Sequence, residues 1–89
     1  MESRVAADIR QFIISTFLFG DEARMPADTD SLLETGTIDS TGILELIEFL
    51  ESEYLFSVAD SETVPENLGS VANLVRYVGE KAGQAADVS

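Results

Sequence analysis

The sequence predicts an all-α fold, a small four-helix bundle of three longer helices and one short third helix, with a long loop between helices 1 and 2. Three observations lead there. No segment alternates apolar and polar residues with period two, so no strand is expected. Three segments repeat apolar residues at the spacing of one helix face. The chain has 89 residues, enough for one domain, residues 1–89, around a single modest core.

The first helix is expected over residues 3–18, where Val5, Ile9, Phe12, Ile13 and Phe17 form the apolar stripe. Ser3 is its expected N-cap, and Gly20 ends the pattern. Phe17-Leu18-Phe19 is more apolar than one face needs and is read as core filler under the next loop. From Gly20 to Asp39 no period holds, and Pro26, Gly36 and scattered Asp, Thr and Ser mark an irregular connection. Loops of this length are commonly tied down by their own side chains, here Leu32, Leu33 and Ile38. Asp28-Thr29-Asp30 resembles the start of a calcium loop, but Leu32 and Leu33 stand where the next ligand and the turn glycine belong. An EF-hand is rejected.

The second helix opens at Asp39-Ser40, with Asp39 as N-cap, and its regular pattern runs from Ile43 to Tyr54. Ile43, Leu46, Ile47, Leu50 and Tyr54 gather on one face, while Glu45, Glu48 and Glu51 lie on the other with Thr41 and Leu44 among them. No glycine follows Tyr54, so the C-cap is not evident. Ala59 to Val64 can form a short helical turn started by Asp60 or Ser61 and limited by Pro65, after which Asn67-Leu68-Gly69 reads as a turn. Ser70 caps the last helix, whose stripe is Val71, Leu74, Val75 and Val78, with Arg76 and Lys81 toward its C-terminal end. Gly83 to Ser89 is expected to be a frayed tail.

Composition removes several function classes. The chain has no cysteine and no histidine, so it lacks thiolate chemistry, the commonest general base and the commonest transition-metal ligand. No metal site is expected, and catalysis by the bare polypeptide is not. The net charge is −12, and no Lys or Arg stands between Arg24 and Arg76. A surface of one sign repels nucleic acid and anionic lipid and attracts basic proteins, although solubility alone explains many acidic chains. No apolar run approaches membrane-spanning length, and Met1-Glu2-Ser3-Arg4 lacks the layout of a secretion signal. A cytoplasmic monomer is the expectation.

On residues alone, Ser40 just inside a helix start is ordinarily structural. It has no histidine or lysine nearby to activate it as a nucleophile. It remains open as a substrate of another enzyme, because free N–H groups at a helix N-terminus favour an attached phosphodiester. Asp39 beside it can contact a metal ion held by that enzyme.

Leu32-Leu33-Glu34-Thr35-Gly36-Thr37-Ile38-Asp39-Ser40, followed by the acidic amphipathic helix, resembles the acyl carrier protein family, including the carrier domains of non-ribosomal peptide synthesis and of fatty acid biosynthesis. The likeness extends over nearly the whole chain, through the serine-capped last helix after Val64-Pro65-Glu66-Asn67. It implies that a phosphopantetheinyl transferase attaches 4′-phosphopantetheine from coenzyme A to Ser40, with Asp39 assisting the transfer. The arm's thiol then carries acyl or aminoacyl groups as thioesters, which makes the chain a substrate of other enzymes and not an enzyme. The resemblance also implies a partner surface at Thr41, Leu44, Glu45, Glu48 and Glu51. Where most of the family has a leucine after the modified serine, this chain has Thr41 and Gly42. Asp-Ser-Thr-Gly is more similar to stand-alone carriers that work beside an acyl- or aminoacyl-adenylating ligase in a specialised pathway.

If a carried chain is sequestered, its cavity is expected between the second helix and residues 58–68, lined by Ile47, Leu50, Val58 and Val64. A competing reading is an unmodified acidic helical module that binds a basic groove through the second helix.

Overall fold

A computed structural model describes residues 2–88, with side-chain environments for residues 4–81. All regular structure among them is helical: α1 Glu2–Phe17, α2 Ser40–Tyr54, α3 Pro65–Leu68 and α4 Val71–Val88, with 3-10 turns at Glu22–Arg24 and Asp60–Glu62. The expected all-α architecture of three longer helices and one short third helix is present. No described helix is long and apolar enough to cross a membrane.

The apolar stripes become the core. Ile9 and Ile13 of α1, Leu46 and Leu50 of α2, and Val71 and Leu74 of α4 are all fully buried. Each such side chain adds about 1.5–3 kcal/mol relative to exposure. The last helix is the common partner, packing against α1, α2 and α3. Between α1 and α2 the contact is aromatic: the rings of Phe12 and Phe49 stack with centroids 4.2 Å apart, and Tyr54 meets Phe49 edge-on.

The long loop is tied at both ends of its middle section. Leu32 and Ile38 are buried, and the Leu32 N–H donates to the Gly69 carbonyl at 2.8 Å. Ala72 N–H donates to the Asp28 carbonyl, while the Asp28 carboxylate takes a two-point ion pair from Arg10. Leu33 is different from the expectation. It stays half-exposed and lines a surface pocket, because it follows Leu32 in a turn that can bury only one of the pair.

Several boundaries also move. α1 starts at Glu2, which puts Ser3 inside the first turn and not at the cap. Leu18 is buried, but Phe19 is 89% exposed, since a left-handed backbone (φ 54°) turns it out of the core. The missing C-cap glycine of α2 is replaced by Leu55, which itself takes the left-handed conformation and donates its N–H to Glu51 O. The short helix is also displaced: the expected helical turn over 59–64 is only a 3-10 turn at Asp60–Glu62, and α3 takes in Asn67 and Leu68, where a turn is expected, because the fixed φ and missing N–H of Pro65 suit the first position of a helix. The last helix runs through Gly83 to Val88, where a frayed tail was expected; Ser89 lies outside the described residues. Lys81 is therefore well inside α4, and it pairs with Glu62 instead of the helix end.

Candidate functional site at the start of the second helix

Asp39 begins the site. Its backbone is extended (φ −94°, ψ 179°), and its Oδ1 accepts the Gly42 N–H at 2.6 Å. Its carbonyl accepts the Ile43 N–H at 3.1 Å. The expected N-cap is therefore in place, and a carboxylate at this end also favours the helix dipole. Ser40 and Thr41 follow in the first turn, both exposed.

Gly42 explains why that turn is held still. It is buried, and a Cβ built there would lie 2.8 Å from both Ile38 Cγ2 and Phe17 Cε1. The absence of a side chain lets the loop and the end of α1 close directly onto the helix start. Ser40 is thus displayed from a capped and packed element, not from a free loop.

On the outer face, Leu44 is 61% exposed with Glu45 and Glu48 exposed beside it. Glu51, the fifth residue of the expected partner surface, is engaged within the chain. It is half-buried, and its Oε2 accepts the Val58 N–H at 2.8 Å, holding the chain where it leaves α2. Periodicity placed Glu51 on the right face but carries no signal for a bond to the returning chain.

The apolar hollow near the site has a volume of about 90 Å³ and is lined by Leu33, Ile43, Thr63, Val64, Pro65, Leu68 and Gly69. Of the four expected lining residues only Val64 is there. Leu50 is fully buried in the core, and Ile47 and Val58 pack against it half-buried. The hollow does lie between α2 and the following segment, but nearer the helix start, because Leu33 projects from the loop to form one wall. Ile43, one of its lining residues, is three positions, about one helical turn, from Ser40.

Glu62 fastens the outer wall. Its Oε1 accepts from the Ala59 N–H at 3.1 Å, the Tyr77 hydroxyl at 2.9 Å and the Lys81 ammonium at 3.1 Å. The Ala59 N–H first, then Lys81 and Tyr77, hold its carboxyl below the usual range. Asn73 Nδ2 adds a bond to the Pro65 carbonyl at 3.2 Å.

Among the described residues no three carboxylates converge on a point where a metal ion could sit. The chain matches no family model, no curated protein and no solved structure. The residues themselves carry the functional reading.

Proposed function

We propose that this chain is a stand-alone carrier protein whose Ser40 takes 4′-phosphopantetheine from coenzyme A and then presents acyl or aminoacyl thioesters to partner enzymes. The observation that carries the reading is Ser40 itself: exposed, first in a helix fixed by Asp39 and Gly42, with no histidine or cysteine anywhere in the chain. Such a serine is suited to being modified, not to acting. In the transfer the Ser40 Oγ forms a bond to phosphorus, adenosine bisphosphate leaves, and the transferase accepts the hydroxyl proton.

The residues present fit that group. A helix N-terminus tolerates the phosphodiester, and the apolar hollow beginning one turn away can shelter an apolar cargo. When attached, the group supplies the thiol this chain lacks. Asp39 keeps one oxygen on the cap and remains exposed for a metal ion held by the transferase. Thr41, Leu44, Glu45 and Glu48 form the surface for the transferase and for an adenylating ligase, and the setting is a cytoplasmic biosynthetic pathway.

Fragment mass spectrometry after incubation with coenzyme A and a broad-specificity transferase tests the reading. The added group should map to the peptide containing Asp39-Ser40-Thr41; its location at any other serine defeats the proposal. The exposed Leu44 among carboxylates favours a second reading, an unmodified acidic interaction module. In that case Ser40→Ala retains full cellular function, while Glu45→Lys with Glu48→Lys abolishes it.

A further inference from the structure

The hollow between α2 and the segment before α4 is small, and its walls are fixed. None of its lining residues is charged, and Leu68 is the one buried side chain among them. Between α2 and α4 the core is closed, with Leu46, Leu50, Val71 and Leu74 all fully buried. The outer wall is bonded along its length. Asn67 Nδ2 donates to the Glu62 carbonyl at 2.9 Å, the Gly69 N–H donates to the Pro65 carbonyl at 2.8 Å, and Arg76 donates to the Glu66 carbonyl. With the bonds of Glu62 and Asn73, these ties oppose widening.

Volume and chemistry then limit the occupant. A dry apolar cavity of about 150 Å³ holds benzene, a molecule of six carbons. In proportion, a hollow of about 90 Å³ holds roughly three to four carbons. A longer tail has to part α2 from α4 across close-packed side chains or remain in water, where its extra CH₂ groups gain nothing. A tail ending in a charge loses its hydration among apolar walls that offer no partner.

We infer that the Leu33–Ile43 hollow sizes the cargo: it receives an uncharged aliphatic group of at most about four carbons beyond the thioester carbonyl, and no long chain. The inference rests on the carrier reading of Ser40 and deepens it by naming the cargo class. Ile43 stands about one helical turn from Ser40, well within the length of a phosphopantetheine arm. Leu33 supplies the wall that comes from the loop, so it sets the limit without belonging to the buried core. Such a group comes from a short acyl thioester or from an amino acid of the same carbon skeleton.

The test loads the full chain from acetyl-, isovaleryl-, octanoyl- and malonyl-coenzyme A with a broad-specificity transferase. Intact mass checks each product, and melting temperature and amide NMR shifts are then measured. The isovaleryl form should melt several degrees above the acetyl form and shift the Leu33, Ile43 and Val64 signals. Octanoyl should add nothing further, and malonyl should gain nothing over acetyl. Leu33→Ala, at a half-exposed loop position, should erase the isovaleryl gain. A valyl form has the isovaleryl skeleton with an added ammonium, so the more stable of the two names the source. A melting temperature that climbs through octanoyl, an isovaleryl form no more stable than acetyl, or a gain unchanged in Leu33→Ala overturns the inference. If no mass is gained, the carrier reading fails by itself, and the hollow is tested on the unmodified chain with free N-acetylcysteamine thioesters. Tighter binding of isovaleryl than octanoyl, with shifts at Leu33 and Ile43, then supports the size limit; tighter binding of octanoyl, or no shift there, overturns it.

Discussion

Phe17 and Gly42 are in contact across the junction of α1 and α2, so close that a Cβ at Gly42 would stand 2.8 Å from the Phe17 ring. The same Cβ would strike Ile38 Cγ2, on a buried β-branched side chain with little freedom to move. Gly42→Ala sets about 1 kcal/mol of gained helix propensity against an overpacking cost of about 1–3 kcal/mol. Net destabilisation is expected, with the melting temperature falling by several degrees. A melting temperature that rises would show that Phe17 does not close the helix start.

The Asp39 cap gives a more conventional expectation. Asp39→Ala removes the acceptor for the Gly42 N–H and should cost about 1 kcal/mol in urea unfolding. Asp39→Asn keeps an acceptor and should recover most of the loss. Equal destabilisation by both variants would mean that the charge, not the cap bond, matters.

Much of this was legible in the sequence, and the omissions share a cause. Helical period locates the faces of α1, α2 and α4, and residue chemistry locates Asp39, Ser40 and the Ser70 cap, whose Oγ accepts the Asn73 N–H at 3.2 Å. What period does not encode is how the irregular segments lie against the helices. That register is set by distant pairs such as Leu32 with Gly69 and Glu51 with Val58. The hollow consequently drew Leu33 and Ile43 as walls while Leu50 went to the core. Phe19 escapes the core for a related reason: hydrophobicity favours burial, but its left-handed backbone decides its direction. Lys81 finds Glu62 across 19 residues of sequence, a pairing that helix-dipole reasoning cannot foresee.

Glu62 should give the segment after α2 a pH-dependent component of stability. Its folded pKa is depressed, so its contribution is present above the ordinary glutamate range and disappears as pH falls through the folded value. Wild type should therefore be more stable than Glu62→Gln at neutral pH, and the difference should close in acid. A difference that is constant with pH would remove Glu62 as the fastening of that wall.

The alkaline limb has the opposite sign. Tyr54 is pushed up to about 12, first by burial and then by Asp8, whose Oδ2 its hydroxyl approaches at 3.4 Å. Tyr77 is also raised, by burial and then by its bond to Glu62. A raised folded pKa contributes fully below the unfolded tyrosine value of about 10 and is lost as pH rises beyond it. These are the chain's two tyrosines, so tyrosinate absorbance should appear above the ordinary range and together with loss of helix by circular dichroism. Tyrosinate formation at ordinary pH with the helices intact would contradict the packing of both residues.

The most direct measurement is the intact mass of the wild-type chain and of Ser40→Ala, each incubated with coenzyme A and a broad-specificity phosphopantetheinyl transferase. Wild type should gain the mass of one phosphopantetheine group, while Ser40→Ala, with helical content unchanged, should gain none. An unchanged wild-type mass, or the same gain in both chains, would contradict the assignment of Ser40 as the attachment point.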